Sequence, residues 1–121
     1  MSAQLAIRIR KSRELRIELD KPRGDGKFTV VALRPSDLEM SELIALAGHR
    51  HIRRMLECVV DWEGVIEDDL IGGGGTDSLT FNARLWAEWA ADNGTWWNPI
   101  AERLKAAYAT HIESLEAAAK N

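Results

Sequence analysis

The sequence has little that could cross-link the chain through disulfides or anchor it in a membrane. Its 121 residues include one cysteine, three prolines and one tyrosine. The one cysteine, Cys58, cannot form a disulfide within the chain, which favours a reducing compartment over a disulfide-rich secreted class. No apolar run approaches the ~18 residues of a membrane span. Arg8, Arg10 and Lys11 also interrupt the first apolar stretch, so we expect neither a membrane segment nor a signal peptide, and we expect a cytoplasmic protein.

Lysine is absent from residues 61–104, and charge is unevenly distributed along the chain. Residues 1–60 hold 12 Lys and Arg against 8 Asp and Glu, whereas residues 61–121 hold 4 against 11. A basic segment can contact nucleic acid, and an acidic one can contact a basic partner. In one small domain, opposite charges more often face each other or water, so nucleic-acid binding is the less favoured interpretation.

What is present is enough apolar material for one core. With 45% hydrophobic and 29% charged residues, the chain is predicted to form a single domain over residues 1–121 without a disulfide or metal staple. Apolar residues alternate with polar ones near Leu5–Ile9 and Leu15–Leu19, and Phe28–Leu33 is more continuously apolar. This period of two predicts a small antiparallel sheet of two to three strands within residues 5–33.

The rest of the chain is predicted to be helical apart from one loop. Ser36 and Glu39 have the spacing of a capping box, and helical periodicity runs from residue 36 to 60. The apolar residues of segment 61–80 follow neither helical nor strand periodicity, and the segment contains Gly72–Gly75, so we expect a mobile loop there. Helices resume over residues 81–120, ending in a long C-terminal helix. The fold class is therefore α+β, with a small N-terminal sheet packed against four or so helices.

No constellation of residues in the sequence dictates a reaction. The glycine run follows Glu67, Asp68 and Asp69 and has no nearby lysine, so it does not fit a phosphate-binding loop. The spacing from His51 to Cys58 is not a zinc-site spacing, and adjacent exposed carboxylates stay ionised and solvated. We therefore predict no catalytic residues, no metal and no cofactor, and hence no enzyme.

Five tryptophans are the most unusual feature of the composition. Trp86 and Trp89 share a helix face with Phe81 and Leu85, which favours the core, although tryptophan is also typical of binding hot spots. Trp96 and Trp97 are adjacent, so at least one should be partly exposed. The terminal helix carries an apolar stripe that can pack on its own domain or bind a partner helix. The candidate partner-binding residues are Trp86, Trp89, Trp96, Trp97, Leu104, Tyr108 and Leu115.

Several short motifs, in order, resemble the small tail assembly chaperones of long-tailed bacteriophages and prophages. Trp62-Glu63-Gly64-Val65 follows a helix, and Phe81 to Trp86 opens the next one. The chain closes with a long helix ending in Lys120-Asn121, and a strand-like segment with Arg34-Pro35 precedes these motifs. The resemblance covers residues 28–121. The run Gly72–Gly75 replaces the single Asp-Gly turn that is usual in these chaperones. This departure keeps a different phage virion-assembly protein as an alternative interpretation.

The resemblance implies an assembly role without catalysis. Such a chaperone binds the long, helical tape-measure protein before the tail tube polymerises around it, and apolar grooves or stripes suit that partner. We expect Trp62, Gly64, Val65 and Phe81 to be structural, with the ring of Trp62 closing the core and Gly64 permitting a tight turn. The competing hypothesis is a small DNA-associated regulator that contacts phosphates through Arg8, Arg10, Lys11, Arg13 and Arg16.

Overall fold

The structure is a computed structural model that describes residues 2–120; Asn121, which closes the motif of the terminal helix, lies outside this range. The described chain contains a three-stranded antiparallel sheet and six α-helices, with one short 3-10 helix, so the predicted α+β class is confirmed. The elements in chain order are α1 Ser2–Lys11, β1 Glu14–Asp20, β2 Lys27–Leu33, α2 Asp37–Ala45, α3 His49–Leu56, β3 Val59–Glu63, α4 Glu67–Leu70, α5 Ala83–Ala91, the 3-10 helix Gly94–Trp96 and α6 Trp97–Lys120.

The sheet has the order β1-β2-β3, with both strand pairs antiparallel. The hairpin of β1 and β2 pairs Glu14 with Leu33 and Asp20 with Lys27 at its two ends. β2 is the central strand and is buried on nearly every residue, which explains its continuous apolar sequence. β1 is an edge strand that buries only alternate residues, as its period of two predicts.

The first predicted strand segment is wrong, because Leu5–Ile9 lies in helix α1. Its alternation of apolar residues also places Leu5 and Ile9 one helical turn apart, and alanine, leucine, glutamine and arginine around them favour a helix. The sheet region therefore begins at Glu14 and not at residue 5, with β1 as its edge strand.

The prediction of helix through residue 60 is also wrong at its end. Helix α3 stops at Leu56, and Val59–Glu63 forms the third strand beside β2, with a register shift between Val31 and Ala32. Val59 continues the helical spacing of Met55 and Leu56, so periodicity alone did not separate the two elements. The β-branched pair Val59-Val60 prefers the pleated, half-buried surface that β2 offers.

Residues 61–80 are more structured than the predicted loop. They contain the end of β3, the single-turn helix α4 and an isolated bridge between Ile66 and Ser78. The mobility of this segment stays a prediction. By contrast, the capping box of α2 is confirmed: the Glu39 N–H donates to Ser36 Oγ at 3.1 Å, and the Ser36 N–H donates to Glu39 Oε1 at 3.0 Å.

Helix α6 is the longest element, with 24 residues and a length of about 36 Å. It begins at Trp97, directly after the 3-10 helix. Only Ile100 and Leu104 are buried in the part of α6 that the structure describes. The Trp96 indole N–H donates to Asp20 O, and Arg103 donates to Arg16 O, so α6 runs antiparallel along β1 and then extends past it.

Candidate partner-binding surface

Four of the five tryptophans lie in the core, where their rings contact one another. The Trp86 and Trp96 rings are stacked at 5.9 Å, and the Trp89 ring meets Trp96 edge-on at 4.7 Å. Trp62 packs edge-on against Trp89 at 5.9 Å, and Phe28 lies 5.0 Å from Trp89. Edge-to-face and stacked pairs at these distances add to the free energy of burial. The aromatic cluster thus joins β2, β3, α5 and the 3-10 helix into one core.

Backbone carbonyls satisfy the polar ends of these rings. The indole N–H groups of Trp62, Trp86 and Trp96 donate to Leu79 O, Leu56 O and Asp20 O at 2.8–2.9 Å. A buried indole without such a partner would cost free energy. Within residues 2–120, no buried side-chain nitrogen or oxygen lacks a hydrogen-bond partner. The rings of the cluster are buried and their N–H groups are paired within the domain, so they are not available to a partner while the domain is folded.

The candidate binding residues therefore divide into two groups. Trp86, Trp89, Trp96 and Leu104 are buried. Trp97 and Tyr108 are half-buried, and Leu115 is exposed. Of the five tryptophans, all within residues 2–120, Trp97 is the one that reaches the surface, which agrees with the argument that adjacent Trp96 and Trp97 cannot both point inward.

Trp97 lines a surface groove between α3 and α6. Its indole N–H donates to Ala90 O at 2.8 Å, which fixes the ring beside Ile52 and Ala101. The groove has a volume of about 230 Å³. Its full lining is His51, Ile52, Met55, Leu56, Gly94, Trp97, Asn98, Ala101 and Lys105. The floor is apolar and aromatic, whereas Lys105 and His51 place polar groups on its rim.

Helix packing holds both walls of the groove in place. His51 Nδ1 lies 2.8 Å from Leu43 O, so the start of α3 is fixed to the buried part of α2. On the other wall, two neighbours of Ala101 are buried against the core: Ile100, which precedes it, and Leu104, one turn after it. A groove between two fixed helices is preorganised, and preorganisation lowers the ordering cost of binding.

Two further members of the predicted stripe lie beyond this groove. The Tyr108 hydroxyl donates to Asp37 Oδ1 at 2.9 Å, and this hydrogen bond raises the pKa of Tyr108. Leu115 lies in the part of α6 that extends past the sheet. Tyr108 thus contacts the start of α2, and Leu115 lies away from the core.

The residues expected to be structural occupy one region around the end of β3. Trp62 and Val65 are buried, and Phe81 is half-buried against Trp62, with ring centroids 5.0 Å apart. Gly64 has a φ of +78°, which L side chains rarely adopt, so glycine permits the turn after the strand. Trp62 lies in a strand and not at the exit of a helix, but its ring fills the core between the sheet and α5.

An ion-pair cluster that the sequence did not predict joins α2, α3 and the turn between α1 and β1. Arg13 Nη1 lies 2.7 Å from Glu39 Oε1, and Arg54 Nη2 lies 3.1 Å from Glu39 Oε2. Burial opposes ionisation of Glu39, but the Ser36 N–H and the two arginines outweigh it and lower the pKa of Glu39 to about 2. The three residues are far apart in sequence, and only the capping-box spacing of Glu39 gave a local signal.

The glycine-rich segment is attached to the hairpin turn between β1 and β2. Lys21 Nζ lies 2.8 Å from Asp69 Oδ2, and the Arg23 guanidinium donates to Asp68 O. The Gly73 N–H donates to Asp68 Oδ1 at 2.7 Å. The acidic residues before the glycines therefore hold a compact turn and meet the basic first half of the chain directly.

Potential reactive groups are few in the described part of the chain. Cys58 is buried, and burial raises the pKa of its thiol to about 11, so the thiol is protonated at neutral pH. Among residues 2–120, no group of three or more His, Cys, Asp or Glu is placed to hold a metal ion. No helix in this range is both long and apolar enough to cross a membrane.

Comparison with protein-family models, with curated proteins and with solved structures found no match to this chain.

Proposed function

We propose that the protein is a phage or prophage tail assembly chaperone that binds the tape-measure protein before the tail tube polymerises. The observation that carries the proposal is the position of Trp97. Its ring is half-buried in an apolar groove between α3 and α6, whereas the other four tryptophans are buried. Tryptophan is enriched among the residues that dominate binding energy at protein interfaces.

The shape of the groove suits one side of a helix. Its volume of about 230 Å³ is below the ~300–1,000 Å³ of sites that enclose a small molecule. It can instead receive one or two apolar side chains from a helix lying across α3 and α6. Tape-measure proteins are largely helical and apolar, so they supply such side chains.

The polar rim suits a partner that must later leave. Lys105 and His51 flank an apolar floor formed by Trp97, Ile52 and Ala101. An interface with a small apolar centre and a polar rim binds more weakly than a large obligate interface. Moderate affinity allows the tape-measure protein to pass from the chaperone to the growing tube.

The regulator hypothesis has less support. Two of its five basic residues are engaged by carboxylates, because Arg13 pairs with Glu39 and Arg16 pairs with Glu63. Arg8, Arg10 and Lys11 remain exposed on α1. Retention on heparin at physiological salt, with a steep loss of binding as salt rises, would favour the regulator. We expect the protein to flow through.

The proposal is tested by capture of its partner. A neighbouring reading frame that encodes a very long, helical, alanine-rich protein would supply the tape-measure sequence. We expect this chain to co-purify with at least one helical fragment of that protein when both are expressed together, and to reduce the fragment's aggregation. The proposal is wrong if no fragment covering the long protein is captured or kept from aggregating.

A further inference from the structure

Two helical arms extend from the same end of the molecule and lie away from the core. Helix α1 has ten residues, and none of them is buried. At the other arm, residues 113–120 of α6 are all exposed; we call this segment the α6 overhang. Isolated helices shorter than ~12–15 residues are marginal in water. The ten-residue α1 therefore needs something to pack against, whereas the overhang continues the 24-residue helix α6.

Each arm exposes large apolar side chains. Leu5, Ile7 and Ile9 of α1 are 53–66% exposed, and Leu115 of the overhang is 51% exposed. Leu5 and Ile9 lie one turn apart and share a face of α1. Within one chain the arms do not cover each other, because an open cleft of about 670 Å³ separates Ala6 and Ile9 from His111 of α6.

The charges of the two arms are complementary. α1 contains Arg8, Arg10 and Lys11 and no acidic residue. The overhang carries Glu113 and Glu116, three residues apart, which matches the spacing of Arg8 and Lys11. Within residues 2–120, none of these side chains forms an ion pair. Lys120 adds one positive charge at the end of the overhang, so the overhang has a net charge of -1 against +3 for α1.

We propose that a second copy of this chain covers the arms, with α1 of each protomer packed against the α6 overhang of the other. Leu5 and Ile9 then contact Leu115 of the partner copy, and Arg8 faces Glu116 at the edge of the seam, as flanking charges do in coiled coils. Lys11 and Glu113 lie farther round their helices and add to the attraction between the two arms at longer range. Two identical reciprocal contacts form a closed two-fold dimer. The interface lies away from the Trp97 groove and does not depend on the proposed function.

Charge reversal tests this pairing through the mass of the particle in solution. Sedimentation should show a dimer for the unaltered chain at about 100 μM, which weakens in about 0.5 M salt. Arg8→Glu with Lys11→Glu should lower dimer affinity at least tenfold, because both arms are then acidic and repel each other. Glu113→Lys with Glu116→Lys should do the same. Circular dichroism checks that both variants fold.

Recombination of the two variants gives the decisive result. An equimolar mixture of the α1-reversed and overhang-reversed chains should dimerise, as should one chain that carries all four changes. The matched control is Arg50→Glu with Arg53→Glu, an exposed pair with the same spacing on α3, and it should stay dimeric. The proposal is overturned if the unaltered chain is monomeric at this concentration, if the single-arm variants dimerise normally, or if their mixture stays monomeric.

Discussion

The Glu39 carboxylate couples the stability of the domain to pH. Its pKa is about 2 in the folded chain against an ordinary value of 4.5. A lowered folded pKa means that the stabilisation is complete above about pH 4.5 and is lost as the pH falls toward 2. We therefore expect Glu39→Gln to lower stability at pH 7 and to flatten the loss of stability between pH 4.5 and 2. Denaturant unfolding at several pH values measures both effects.

Glu42 provides the control for this measurement. It lies on the same helix, is about half exposed, and contacts Arg54 only at 3.7 Å. Glu42→Gln should lose stability between pH 4.5 and 2 to nearly the same extent as the unaltered chain. Equal flattening by both substitutions would contradict the assignment of this pH dependence to the Arg13–Glu39–Arg54 cluster.

The tryptophans should differ in their contributions to stability. Trp62→Ala and Trp96→Ala remove buried rings from the aromatic cluster, and each should cost about 3–5 kcal/mol. From the sequence alone, the exposed member of the Trp96-Trp97 pair would cost within about 0.5 kcal/mol. Trp97 packs partly on the core and donates to Ala90 O, so Trp97→Ala should cost about 1–2 kcal/mol. Thermal and denaturant unfolding rank the three, and equal losses would contradict the burial difference.

At the scale of elements, the glycine run is built into the turn after α4. A Cβ on Gly74 would lie 3.1 Å from the backbone carbonyl carbon and oxygen of Glu67, whereas a Cβ on Gly75 would meet nothing within 4 Å. Gly74→Ala should destabilise the chain by about 1–3 kcal/mol. Gly75→Ala is the matched control and should be neutral or stabilise by up to about 1 kcal/mol. The unfolding midpoints of the two variants test this prediction. A Gly74→Ala variant as stable as the unaltered chain would show that the turn can adjust to the added Cβ.

Local patterns predicted the elements whose residues respond mainly to their own neighbours. The strands near Leu15–Leu19 and Phe28–Leu33, the capping box at Ser36 and the terminal helix all follow from spacing along the chain. The pattern failed where one sequence fits two structures. Leu5–Ile9 fits both a strand and one face of a helix, and Val59-Val60 fits both the end of α3 and a strand. A vacant edge on β2 decides the second case, and no local signal shows that edge.

At the scale of the whole molecule, the candidate surface was predictable only in part. Adjacency of Trp96 and Trp97 indicated that one ring reaches the surface, but not which one or what surrounds it. The groove forms because α3 and α6, about 40 residues apart in sequence, pack side by side. The cluster of Arg13, Glu39 and Arg54 is equally non-local. Such groupings depend on tertiary packing, which periodicity does not encode.

The central claim, that the groove beside Trp97 receives a tape-measure helix, has a matched pair of test positions on α6. Ala101 is half-buried and lines the groove, whereas Ala106 is exposed outside it. Glutamate is a good helix former, so Ala101→Glu and Ala106→Glu should both leave α6 intact. They differ in where they place the added bulk and charge.

The most direct measurement is calorimetric titration of a captured tape-measure fragment into the unaltered chain and these two variants. Ala101→Glu blocks the apolar floor with a charged side chain and should weaken binding by at least tenfold, a loss of about 1.4 kcal/mol or more. Ala106→Glu should keep the Kd within about twofold of the unaltered chain. Equal Kd values for all three proteins would contradict the claim and place the binding surface elsewhere on the molecule.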